Sequence, residues 1–129
     1  MTSRTTFKRK EKLKSRKTIQ KLFKEGKSLS NFPIKAIYLP VEKQDFALKA
    51  GFGVSNKNFK KAVERNRVKR LMRESYRVQK NYLSEKLISA GRQLVVFFIY
   101  TSKELPDYHQ VFQQMQITLE RIGKTITAK

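Results

Sequence analysis

The chain contains no cysteine, so neither a disulfide framework nor a thiolate metal site can form. It contains no tryptophan and a single histidine, His109. One imidazole excludes a multi-histidine metal centre and a histidine-rich catalytic centre, and His109 reads as a bystander on a surface turn. Acidic residues are scarce: there are 10, and no two stand at a spacing that suits a catalytic pair or a metal cluster. Neither a catalytic nor a metal-binding residue is therefore assigned to this chain. Long apolar runs are missing as well. The longest, residues 94–100, falls far short of the roughly 20 residues that span a bilayer. The basic start is followed by no apolar stretch, unlike a secretory signal. The expectation is a cytoplasmic protein without a membrane partner.

Positive charge dominates what is present. Lys and Arg number 30, for a formal net charge of +20 in 129 residues. Such a charge repels itself in a compact chain, and a polyanionic partner is the simplest reason for it to persist. It is unevenly distributed: residues 1–27 and 57–80 together hold 21 of the 30 basic side chains. If the two segments lie near one another, they form one electrostatic footprint for nucleic acid.

The length suits one domain, residues 1–129, with residues 1–10 as a mobile basic arm. Ser15 can cap a short helix over 16–25 that carries Ile19, Leu22 and Phe23 on one face and stops at Gly26. Residues 32–39, between Pro33 and Pro40, read as a strand. Residues 46–55 alternate, with Phe46, Leu48, Ala50, Phe52 and Val54 on one face. Gly51 and Gly53 on the other suggest a bulge or the close approach of another group. A strong helix spans 62–80, with a turn or two more before Gly91. Residues 93–100 form a continuous apolar strand, central or covered on both faces. A final helix opens at Pro106, repeats Val111, Phe112, Met115, Leu119 and Ile122 at helical steps, and ends at Gly123. The order is α, β, β, a possible third β, α, β, α, an α/β sandwich around one small sheet.

The helix at 62–80 carries the clearest functional signal. Arg65, Asn66, Lys69, Arg70, Arg73 and Arg77 fall within an arc of about 140° on a helical wheel. Val68, Leu71, Met72, Ser75 and Val78 fall opposite. Ordinary solvated helices intersperse acids four residues away from bases; here only Glu74 does so, towards Arg70. Guanidinium groups fork onto phosphate oxygens, and an asparagine amide can read a base edge or a 2′-hydroxyl.

The stretch at 60–77, with Arg65-Asn66-Arg67, then Lys69-Arg70, then Arg73-Glu74, resembles the signature of the bacterial ribonuclease P protein family. Phe23-Lys24-Glu25-Gly26 resembles that family's first helix and its glycine stop. Gly51-Phe52-Gly53-Val54-Ser55 resembles the strand before the signature. The resemblance implies an α+β fold in the order αβββαβα, with a small mixed sheet, a long basic helix and an uncommon left-handed βαβ crossover. It implies a ribonucleoprotein enzyme that removes the 5′ leader of precursor tRNA, with magnesium-dependent chemistry on the RNA subunit. Arg65, Asn66, Lys69, Arg70, Arg73 and Arg77 would then face that RNA. Phe23, Tyr38 and Lys57 would line a leader cleft between the sheet and the first helix, where aromatic faces stack bases with little sequence preference. Ile19 stands where the family commonly has an aromatic residue.

Other readings remain open at this level. Phe23, Tyr38 and Phe32 could also be plain core residues. A ribosomal or chaperone-type RNA-binding protein would carry the same charge. DNA binding is disfavoured because strand and loop, not a helix, precede the basic helix. A self-sufficient nuclease lacks its carboxylate or histidine cluster.

Overall fold

In the computed structural model, which describes residues 11–42 and 46–127, the first helix starts where the Ser15 hydroxyl accepts the Thr18 N–H at 3.3 Å. This helix, α1, covers Arg16–Glu25 and buries Leu22. Gly26 closes it, its N–H donating to the Leu22 carbonyl at 2.8 Å. The basic segment at 1–10, expected as an arm, lies outside the described residues.

Four strands follow: β1 (Lys27–Asn31), β2 (Ile34–Val41), β3 (Leu48–Val54) and β4 (Gln93–Tyr100). They form one mixed sheet in the order β1-β2-β4-β3, with only the β3–β4 pair parallel. β1 is the third strand that pattern alone leaves uncertain. Its sequence, Lys-Ser-Leu-Ser-Asn, buries only Leu29, so it carries almost no alternation to read. It forms because β2 presents a free edge one turn away. β4 is central, as its unbroken apolar run suggests. Leu94, Val96, Phe98 and Tyr100 enter one core, whereas Val95 and Phe97 pack on the opposite face.

The parallel β3–β4 pair requires a crossover, which the helix α2 supplies. α2 runs unbroken over Ala62–Ala90, so the turns expected before Gly91 continue the same helix. It ends at Gly91, whose left-handed backbone (φ 66°) suits glycine. The last helix, α3, covers Tyr108–Thr127 and passes straight through Gly123, the expected stop. Gly123 has a packing role instead. A Cβ there would stand 3.1 Å from Lys86 Cδ and 3.2 Å from Tyr82 Cε2, so glycine lets α3 lie close against α2.

The main core lies between the sheet and α2/α3. It joins Val68, Met72, Tyr76, Leu83 and Leu87 to Val111, Met115, Leu119 and Ile122. A smaller cluster of Leu13, Leu22 and Val95, with Ile19, Ile37, Leu39 and Phe97 against it, lies beneath α1. At the β3 edge, Lys12 bridges Ala50, with the Leu13 N–H donating to the Ala50 carbonyl at 2.9 Å. Glu11 forms an ion pair with the buried Lys80 of α2. Burial raises the Tyr76 phenol well above its ordinary range, and the Glu11 carboxylate adds to the effect. Among the described residues, no helix is long and apolar enough to cross a membrane.

Candidate nucleic-acid interface

α2 presents its basic side chains at a different angle from the one the helical wheel suggests. Tyr76 and Lys80 join Val68, Met72 and Ser75 on the buried side, while Val78 is exposed and Leu71 only half-buried. The buried stripe is therefore turned by roughly 70° around the axis. The physical reason is Tyr76, whose ring packs 5.5 Å from Phe52 and 5.6 Å from Phe98. An aromatic group of that size outweighs the smaller aliphatics on the other flank, and Lys80 is compensated by Glu11.

The rotation sorts the six expected RNA-facing residues. Asn66 and Arg70 are exposed, and Lys69 and Arg73 are half-buried at the rim of the same groove. Arg67 lines that groove too, with Val63 and with Leu105 from the loop between β4 and α3. Sequence reasoning missed Arg67 because it lies beside Val78 on the wheel, on the side taken as buried. Glu64 is the one acid lining this groove. Among the described residues, Arg67, Lys69, Arg70 and Arg73 take part in no ion pair.

The other two arginines have partners within the protein. Arg65 Nη1 donates to the carbonyls of Phe59 and Lys60, each at 2.8 Å, and so ties the loop at 56–61 to the helix. Arg77 holds Glu74, with Nη2 at 2.9 Å and Nε at 3.1 Å from Oε1. The expected Arg70–Glu74 pairing gives way to this i,i+3 pair. Holding Glu74 there leaves Arg70 to the outer face.

The α1 side of the sheet holds a second surface. Phe23 is 48 % exposed and meets Phe97 edge to face, ring centroids 5.3 Å apart. Phe97 lies flat over β3 because that strand has glycine beneath it. A Cβ at Gly51 would come within 2.7 Å of its Cδ1, and one at Gly53 within 2.8 Å of its Cε2. The close approach suggested by the two glycines is thus that of Phe97. Its own place in a continuous apolar strand hid it from sequence reading; the signal was the glycine pair.

Tyr38 does not join this surface. It is buried at 5 % exposure in the core beneath α2 and α3, on the face of the sheet opposite Phe23. Strand alternation gives the α1-facing position to its neighbour Ile37. Lys57 is exposed in the loop after β3, where its N–H donates to the Ser55 hydroxyl at 3.0 Å. Lys14, Lys21 and Lys49 line a recess under the N-terminal end of α1.

A mixed four-stranded sheet with a long cationic crossover helix on one side and an aromatic surface on the other defines a small, strongly basic α+β protein. Comparison with known proteins narrows the class. The Ribonuclease P family profile matches residues 7–123. The ribonuclease P protein component of Porphyromonas gingivalis is 37 % identical, with 98 % of this chain and 94 % of that protein covered. That of Chlorobium phaeobacteroides is 34 % identical over 87 % of this chain and 84 % of its own. Among solved structures, the RNase P protein from Thermotoga maritima superimposes with a TM-score of 0.69 at 28 % identity, covering 86 % of this chain and 96 % of that one. The Staphylococcus aureus protein shares the fold at a TM-score of 0.62. The chain belongs to the ribonuclease P protein family. It is thereby a protein component of a ribonucleoprotein that processes tRNA.

Proposed function

We propose that the chain binds the ribonuclease P RNA along the outer face of α2 and the 5′ leader of precursor tRNA on the α1 side of the sheet. In this role it assists endonucleolytic removal of the leader in the cytoplasm. The observation that carries the reading is the α2 groove, where Asn66, Arg67, Lys69, Arg70 and Arg73 converge around a single acid. Guanidinium groups so placed suit phosphate oxygens, and the half-buried positions of Lys69 and Arg73 limit the entropy lost on contact. On the opposite face, Phe23 and Phe97 offer ring surface for unpaired bases, and nearby lysines offer charge for the backbone. Stacking of this kind tolerates many leader sequences.

The hydrolytic chemistry is assigned to the RNA subunit with magnesium. Among the described residues, no three His, Cys, Asp or Glu side chains come together in a way that could hold a metal ion. The described residues thus offer no protein-only cage for the ion, and no step is assigned to a protein-bound ion. The contribution of the protein is binding and orientation.

The test is single-turnover cleavage of a precursor tRNA with a long 5′ leader, using a bacterial ribonuclease P RNA at low magnesium. The expected result is no cleavage by the protein alone and faster cleavage by the RNA when the protein is added. RNA binding without any change in cleavage would overturn the reading.

A further inference from the structure

The turn between β1 and β2 carries Phe32 with 73 % of its surface exposed. A lone exposed aromatic on a loose turn would call for no explanation. This turn is fastened on both sides. The Thr101 N–H and hydroxyl donate to the Pro33 carbonyl at 2.8 and 3.1 Å. The Asn31 amide donates to the Gln114 carbonyl at 3.1 Å and to the Thr118 hydroxyl at 3.3 Å, and Arg121 Nη1 donates to the Ser30 carbonyl at 2.8 Å. The fastening continues to the basic helix. Asn58 Nδ2 donates to the Thr101 carbonyl at 3.2 Å, and Arg65 binds the carbonyls of Phe59 and Lys60 in the same loop. A rigid hydrogen-bonded path thus links the Phe32 turn to the N-terminal end of α2.

The surface is continuous as well. Leu105, 44 % exposed, lines the α2 groove with Asn66, Arg67 and Arg70 and also lines the recess beneath Phe32 and Pro33. Val63 adds a further exposed apolar side chain on the groove side. A strand of RNA whose phosphates follow the groove therefore reaches an aromatic ring across a single residue. Gln110, on the recess wall, keeps its side-chain oxygen on the Asp107 N–H at 3.1 Å and has its amide nitrogen for a base edge.

We infer that Phe32 is a stacking platform for an unpaired nucleobase of the RNA that lies along α2. This subsite is distinct from the aromatic surface under α1 and rests on the proposed RNA-binding role of that helix. A ring held in place before binding loses little freedom when a base stacks on it, and base–aromatic stacking contributes without sequence preference. The cationic groove favours RNA over a second copy of this chain, which carries a net charge of +20 itself.

The absence of tryptophan provides a clean probe. Phe32→Trp places the only indole of the protein at the proposed subsite, on an exposed position that tolerates the larger ring. The wild-type chain and this variant are titrated with ribonuclease P RNA, with filter binding as an independent measure of occupancy. The expected result is quenching of tryptophan fluorescence that saturates with binding. Phe32→Ala is expected to lower RNA affinity roughly tenfold while leaving the slope of log affinity against log salt unchanged, because no phosphate contact is lost. An unquenched indole at full occupancy, or unchanged affinity of Phe32→Ala, overturns the subsite alone. Failure of the wild-type chain to bind the RNA overturns both the subsite and the proposed function. A change in sedimentation of the free protein on Phe32→Ala, with RNA affinity intact, would assign the ring to self-association instead.

Discussion

Arg65 and Arg70 stand on the same helix, yet their surroundings assign them different tasks. Arg65 satisfies two loop carbonyls, whereas Arg70 projects into the open groove. Arg70→Ala should weaken binding of the RNA subunit by ~1–3 kcal/mol, the scale of a charge-assisted hydrogen bond. It should leave the melting temperature unchanged. Arg65→Ala should lower thermal stability by about 1 kcal/mol, because the loop loses its tie to the helix. Filter binding and thermal denaturation on the two variants separate these effects; equal stability losses would mean that the groove assignment is wrong. Tyr38 illustrates the opposite outcome. An aromatic residue next to a prospective cleft in sequence falls on the far face of the sheet, because one residue along a strand reverses the side chain's direction.

At the scale of elements, β3 shows how one strand can shape the surface of another. Its two glycines remove side chains from the α1 face, and Phe97 of β4 occupies the space. Gly51→Ala should therefore push the Phe97 ring out of place, destabilise the fold by about 1–3 kcal/mol through overpacking, and weaken leader binding. Comparing affinity for precursor tRNA with long and absent leaders reads the second effect: a loss confined to the long leader supports the aromatic surface. An equal loss for both would point to a general distortion. The elements also differ in how plainly the sequence announces them. α1 has its serine cap and glycine stop, and β4 has its apolar run, so both are readable from local pattern. β1 is a polar segment recruited by the edge of β2, and Gly123 is a contact rather than a terminus. Neither is encoded by its immediate neighbours in sequence.

For the whole molecule, charge is the governing quantity. A net charge of +20 on 129 residues opposes compaction and favours any polyanion that neutralises it. If about six phosphates are contacted, affinity for the RNA subunit should fall roughly 10³-fold between 50 and 200 mM monovalent salt. A nearly salt-independent affinity would remove the basic helix from the interface. The part-buried Glu11–Lys80 pair bears on the same balance, since it neutralises one lysine of α2 and ties the segment before α1 to that helix.

Composition and short-range pattern by themselves determined a great deal about this protein. The scarcity of acids, the lack of cysteine and the clustering of bases pointed to a polyanion partner. The Arg-Asn-Arg stretch and the order of elements pointed to the ribonuclease P family. These are properties of residue identity and local spacing, which need no contacts between distant segments. Tertiary structure alone decided which face of α2 is exposed, that Tyr38 is core, that Phe97 meets Phe23, and that Arg65 and Arg77 are engaged within the chain. Each of these depends on side chains far apart in sequence competing for the same space, and packing resolves that competition by volume and charge rather than by periodicity.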